Sequence, residues 1–204
     1  AMTPAHVWQP GKPNHRRTIL ALHGTGGNEH SLVELVHSLD PDAAILSPRG
    51  NVLEGTAPRF FRRLAEGVFD LEDLVQRTDD LADFILNSSV QYGFDIADLV
   101  AIGYSNGANI AASLLLLRPE AIGDAVLLRS MVPLVPPKRP DISAKRILML
   151  TGEFDPIVPL DSPRQLEAML RDYGADVQLE MLLAGHELTR RDLELTHSWL
   201  HLDG

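Results

Sequence analysis

The chain has 204 residues, 45% of them hydrophobic, and a formal net charge of −10 from 28 acidic and 18 basic side chains. A chain of that length suits one domain and can bury about 70% of its unfolded surface without a metal or disulfide staple. The acidic balance argues against nucleic acid or an anionic membrane as partner, and the absence of cysteine excludes disulfides, a thiolate zinc site and a cysteine nucleophile.

No apolar run approaches the roughly 18 residues of a membrane span. Residues 1–6 lack the basic-then-apolar layout of a secretion signal. A cytoplasmic protein without metal or cofactor is the expectation. Residues 1–17 are polar and proline-rich, with room for a short edge strand near Val7 and Trp8. Residues 17–23 form an apolar strand that ends in Gly24-Thr25-Gly26-Gly27-Asn28, a loop tight enough to need glycine. Leu32, Leu35, Val36 and Leu39 give residues 30–39 helical spacing. Residues 43–47 form a second strand, stopped by Pro48. Residues 49–72 are expected as a long irregular loop, whose clustered aromatic residues favour function over disorder. Residues 70–86 are an amphipathic helix with acids crowding its first turn.

The most informative stretch follows. Residues 99–102 are an apolar strand, and Gly103-Tyr104-Ser105-Asn106-Gly107 is a turn of the form G-x-S-x-G. A helix softened by Ala108, Ala111 and Ala112 comes next. This is the layout of a nucleophile elbow, which holds a serine hydroxyl clear of the sheet edge. Its bland counterpart is an ordinary strand-to-helix turn with an inert serine. Further strands are expected at 125–128, 146–151 and 177–182, with helices at 162–173 and about 189–200. The proline-broken apolar run from Met131 to Pro137 suits either the wall of an acyl pocket or a dimer interface. Strands alternating with helices imply an α/β fold: one domain over residues 1–204, a mostly parallel central sheet, helices on both faces and no large lid domain.

In such sheets reactive groups gather past the carboxyl ends of strands. Ser105, Asp155 and His186 lie past the ends of three different strands, in that chain order. A serine needs a base to become nucleophilic, histidine is a base near neutral pH, and a carboxylate fixes the imidazole tautomer. Glu153 is the rival carboxylate; His23, His30, His37, His197 and His201 are the rival histidines, none just past the final strand. Backbone N–H groups of Thr25 and Asn106 are candidate oxyanion donors. Glu29, Arg59, Phe60, Met131 and Val158 are candidate substrate contacts. For Glu29 a helix-capping role competes, and for the Arg59-Phe60 cluster a solvated turn does. The glycine cluster at 24–27 is a poor dinucleotide site, because the next strand ends in Ser47-Pro48-Arg49 without the ribose-binding acid.

These motifs resemble the α/β-hydrolase superfamily, in particular its small carboxylesterase/phospholipase branch, which includes acyl-protein thioesterase-like enzymes. The carriers are the glycine loop at 23–29, Ser47-Pro48-Arg49-Gly50, Pro58-Arg59-Phe60-Phe61-Arg62-Arg63, the elbow at 103–107, Gly152-Glu153-Phe154-Asp155-Pro156, and Gly185-His186. The second and third are more similar to bacterial members linked to hydroquinone stress. The resemblance implies a Ser105–Asp155–His186 triad, Thr25 and Asn106 as oxyanion donors, no metal, and a homodimer acting on a small-molecule ester. Asn106 replaces the glutamine usual in the thioesterases, which turns the reading away from long acyl chains. The leading expectation is a serine carboxylesterase for small esters or thioesters. The alternatives are a ligand-binding sensor with slow or vestigial catalysis, and a lysophospholipase or acyl-protein thioesterase.

Overall fold

Residues 3–202 are described by the computed structural model; residues 1–2 and 203–204, the ends of the expected domain, lie outside the described residues. In chain order the strands are β1 (His6–Gln9), β2 (Thr18–Leu22), β3 (Ala44–Pro48), β4 (Val52–Glu54), β5 (Ala57–Arg59), β6 (Arg63–Ala65), β7 (Val68–Phe69), β8 (Leu99–Tyr104), β9 (Asp124–Leu128), β10 (Arg146–Gly152) and β11 (Asp176–Leu182). The helices are α1 (Val33–Leu39), α2 (Leu71–Tyr92), α3 (Asn106–Leu117), α4 (Asp161–Asp172) and α5 (Arg190–Leu200).

Seven strands form one sheet in the order β1-β3-β2-β8-β9-β10-β11. Only β1 runs antiparallel, pairing with β3 at the edge from His6↔Pro48 to Gln9↔Ile45. The interior strands are apolar on both faces, as a sheet covered on both sides requires. Alternation along β2 sends Leu20 and Leu22 to one core layer and Ile19 and Ala21 to the other. The first layer is closed by Leu74 and Ile85 of α2, Ile110 and Leu114 of α3, and Leu166 and Leu170 of α4. The second is closed by Val36 and Leu39 of α1 and by Trp199 and Leu200 of α5. No helix or strand inserts between β9 and β10, so no lid domain stands over the sheet edge.

Three expectations need correction. Residues 49–72 are not irregular: they fold into two small hairpins, β4–β5 and β6–β7. Each turns on two residues, Gly55-Thr56 and Glu66-Gly67, with the glycines at φ 62° and 73°, where a side chain would be strained. Pro48, expected to stop the second strand after Ser47, is instead the last residue of β3. Pairing with β2 reaches only Leu46, so the missing N–H costs no bond on that side. The helix expected at 70–86 runs on to Tyr92. Asp70 caps its start by accepting from the Asp73 N–H at 3.2 Å, and Gly93 ends it at φ 76°. Its last turn is held by Tyr92 stacking on Trp8 at 4.5 Å.

Helix α3 lies unusually close to the sheet. A Cβ on Gly107 would sit 2.0 Å from the Leu22 carbonyl oxygen and 2.6 Å from that of His23. Gly107→Ala is therefore expected to cost at least about 1–3 kcal/mol through overpacking. A urea titration checks this; an unchanged midpoint would contradict the close approach.

Candidate active site

The site begins with the backbone of Ser105. The residue sits at φ 56° and ψ −113°, a conformation that side-chain-bearing residues rarely adopt. A turn this tight drives helix and strand together. A Cβ on Gly103 would fall 2.5 Å from the Gly107 carbonyl oxygen, which explains the glycine on that side. The Ser105 N–H donates to the Leu128 carbonyl at 2.9 Å, so the turn is tied to the neighbouring strand β9.

Asp155 and His186 reach Ser105 from past the carboxyl ends of β10 and β11, the same edge of the parallel strands. Ser105 Oγ lies 2.8 Å from His186 Nε2, and His186 Nδ1 lies 2.8 Å from Asp155 Oδ2. A carboxylate can only accept, so Nδ1 carries the proton and Nε2 is left to accept from the serine hydroxyl. The turn after β10 aims the carboxylate: Asp155 Oδ1 accepts from the Ile157 N–H at 2.7 Å and the Val158 N–H at 3.1 Å. Glu153 is exposed and has no such link. The loop bearing His186 crosses over the end of β10. A Cβ on Gly152 would lie 2.3 Å from the Gly185 carbonyl oxygen, so only glycine leaves that path open. The Tyr104 hydroxyl donates to the His186 carbonyl at 3.0 Å and steadies the loop from beneath.

Thr25, in the glycine loop, and Asn106, the first residue of α3, line the same cleft. Neither backbone N–H donates a hydrogen bond among the described residues. The Thr25 loop is braced by the Gly26 N–H donating to the Pro58 carbonyl at 3.0 Å, and by Arg59 Nη1 donating to Thr25 Oγ1 at 2.6 Å. The Asn106 side chain accepts from the Phe60 N–H at 2.7 Å. Beneath the loop, buried His23 donates from Nδ1 to the Gly24 carbonyl at 2.7 Å and accepts at Nε2 from the Gly50 N–H at 3.0 Å. Burial pushes its imidazole pKa below the ordinary value, so it stays a neutral strut.

Ser105 and His186 open into a cleft of about 280 Å³. Phe69, Met131, Ile157 and Val158 supply its apolar surface, and Arg59 and Arg63 a cationic one.

Residues 3–202 match the phospholipase/carboxylesterase family along their whole length. The chain belongs to the phospholipase/carboxylesterase family. It is 42% identical over 194 residues to MhqD of Bacillus subtilis (strain 168), covering 95% of this chain and 96% of that one. The carboxylesterase of Bacillus cereus superposes with a TM-score of 0.93 at 44% identity, over 96% of this chain and 92% of that one. YahD, solved with malic acid, superposes with a TM-score of 0.93 at 29% identity, over 98% of this chain and all (100%) of that one.

Within this carboxylesterase-family chain, the candidate substrate contacts divide. Arg59, Met131 and Val158 lie on the cleft wall; Glu29 and Phe60 do not. Glu29 is buried and clamped by Arg49, whose Nε and Nη2 donate to its two carboxylate oxygens at 2.6 and 2.7 Å. That clamp holds its pKa below the ordinary carboxylate value. Phe60 packs against the His23 ring at 4.6 Å in the core, because its neighbour Arg59 takes the cleft side. Of the expected apolar run, Met131 faces the cleft while Val135 is exposed.

Arg129 escaped the sequence reading. It follows β9 directly at φ 62°, and its side chain is fully buried. Its guanidinium forms a two-pronged pair with Asp192 at 2.8 and 2.9 Å and donates to the carbonyls of Gly185 and Glu187, each at 2.9 Å. It thus grips the chain on both sides of His186. Asp192 in turn forms a capping box with Thr189 at the start of α5. The available signal was an arginine placed immediately after an apolar strand.

Arg129→Met leaves Asp192 buried and unpaired, and is expected to cost about 3–5 kcal/mol. Thermal or urea unfolding checks this, and a loss below about 1 kcal/mol would show that the pair carries little. His23 yields a pH dependence. Its folded pKa lies below the unfolded value, so its contribution is complete above about 6.5 and is lost as pH falls through the folded pKa. Unfolding at pH 7.5 and 5.5 is expected to give a lower midpoint at the acid end, and His23→Gln is expected to flatten the slope.

Proposed function

We propose that this protein is a serine carboxylesterase that hydrolyses small carboxylic esters or thioesters through an acyl-enzyme on Ser105. The observation that carries the reading is the continuous hydrogen-bonded chain from Ser105 Oγ through His186 to Asp155, each link 2.8 Å long. Ser105 attacks the acyl carbon and His186 Nε2 takes the hydroxyl proton. The N–H groups of Thr25 and Asn106 receive the developing oxyanion, a term often decisive in acyl transfer. The acyl carbon–oxygen or carbon–sulfur bond then breaks, and His186 returns the proton to the leaving group. Water, deprotonated by His186, attacks the acyl-enzyme and releases the acid, restoring Ser105. Asp155 keeps the imidazole in the required tautomer throughout.

The cleft, about 280 Å³, lies at the small end of ligand sites and favours short acyl groups over the long chains of the lysophospholipase alternative. YahD, the relative solved with malic acid, points the same way, toward a small and polar substrate.

Hydrolysis of p-nitrophenyl esters over a range of acyl lengths tests the reading. Wild-type turnover is expected to be highest on short chains, and Ser105→Ala is expected to lower kcat by about 10⁴-fold or more while leaving the circular dichroism unchanged. Wild-type turnover surviving in Ser105→Ala would overturn the assignment. A single burst of one product per site would favour the sensor reading.

A further inference from the structure

Arg59 and Arg129 are both buried and both line the cleft, but only Arg129 has a carboxylate of its own, that of Asp192. Arg59 sits on the short strand β5, its side chain is only 3% exposed, and it lines the cleft beside Thr25 and Ser105. Burying a guanidinium is costly unless its charge is answered. Here it is answered mostly by neutral groups. Nε donates to the Phe61 carbonyl at 3.0 Å, Nη1 donates to Thr25 Oγ1 at 2.6 Å, and the Phe61 ring lies 5.6 Å away.

The nearest carboxylate, Glu54, is 3.9 Å distant. It is already held by Arg63, which donates to both its oxygens at 2.9 and 2.7 Å. Two guanidiniums therefore share one carboxylate. The remaining charged groups of the cleft do not change that balance. Arg129 is taken up by Asp192, Asp155 by His186, and Glu66 stands on the water-exposed rim. Burial, with Arg63 adding repulsion, lowers the Arg59 pKa to about 10 against the weaker pull of Glu54. It remains a cation at neutral pH with its compensation incomplete.

Arg59 Nη2 forms no hydrogen bond among the described residues, and it is not an atom sealed away from solvent. Arg59 lines the cleft, and the Nη2 N–H groups are its open donors. A charge-assisted hydrogen bond there would replace cleft water by an anion and supply the missing counter-charge. Met131, Phe69 and Val158 give the same cleft a short apolar surface.

We propose that the cleft selects esters that carry a carboxylate within a few bonds of the scissile carbonyl, with Arg59 as the specificity-determining residue that receives it. The inference rests on the serine-esterase reading and narrows its substrate class. The reaction stays a hydrolysis: water gives its hydroxyl to the acyl carbon and its proton to the leaving oxygen, and the distal carboxylate is unchanged.

The test compares each anionic ester with its neutral methyl ester. One pair bears the carboxylate on the acyl side (mono-p-nitrophenyl succinate against methyl p-nitrophenyl succinate). The other bears it on the leaving group (2-acetoxybenzoate against methyl 2-acetoxybenzoate). In at least one pair the anion is expected to have a kcat/KM about tenfold or more higher, mainly through KM. Arg59→Met is expected to abolish that ratio, and Arg59→Lys to restore part of it. Because Arg59 also braces Thr25, a second measurement uses wild-type protein alone: succinate is expected to inhibit neutral-ester hydrolysis competitively, and its monoamide much less.

Neutral esters turned over as well as both anions, or a preference that survives in Arg59→Met, would overturn the inference and leave the esterase reading standing. No turnover of any ester, together with no labelling of Ser105 by a fluorophosphonate, would remove both.

Discussion

The site has to close a gap. Ser105 follows β8 and His186 follows β11, three strand spacings apart, or about 14 Å at the level of the sheet. A 2.8 Å contact between them needs a loop that folds back over the sheet edge and stays there. Two features meet that need. Glycine at position 152 leaves the path over β10 open, since any Cβ would meet the Gly185 carbonyl. Arg129, rising from the end of the strand between, supplies donors to the carbonyls before and after His186. A buried ion pair adds little net stability by itself, because desolvation offsets attraction. The value of Arg129 and Asp192 lies in direction: a guanidinium fork satisfied by one carboxylate and three carbonyls, two of them flanking His186, permits one arrangement of the loop.

A second economy lies in the first hairpin. Residues 58–60 bond to both the glycine loop at 24–27 and the start of α3, the two segments proposed to supply the oxyanion donors. The Pro58 carbonyl holds Gly26, the Arg59 guanidinium holds Thr25, and the Phe60 N–H holds the Asn106 side chain. One short extended segment therefore sets the spacing between the glycine loop and the start of α3, which are far apart in sequence. It also explains a buried asparagine directly after the serine: its side-chain oxygen is the anchor for that segment.

The strand ends were legible because interior parallel strands are continuous apolar runs and their exits are marked by glycine, proline and polar residues. Ser105, Asp155 and His186 followed from that marking and from chain order. The hairpins at 52–69 were not legible by the same logic. Strands of two or three residues are too short to show alternation, and the glycines at 55 and 67 were their only punctuation. Glu29 and Phe60 misled for a related reason. Both stand beside cleft-facing loops, yet which way a side chain points depends on a partner distant in sequence. For Glu29 that partner is Arg49, 20 residues away, and for Phe60 it is His23. Arg129 was hidden because a buried arginine is legible only through its acceptors, and three of those are backbone carbonyls.

Overall charge and local charge pull in opposite directions here. The chain carries −10, so its far field repels anions. That field decays over about 8 Å at physiological ionic strength, whereas a buried guanidinium acts at contact in a poorly screened cleft. Selection of a carboxylate by Arg59 would then be expressed in how long a substrate stays and how it is oriented, not in how fast it arrives. Added salt separates the two contributions. It weakens the repulsion during approach and leaves a desolvated contact at Arg59 largely intact, so the encounter rate of an anionic ester rises while the preference conferred at contact persists.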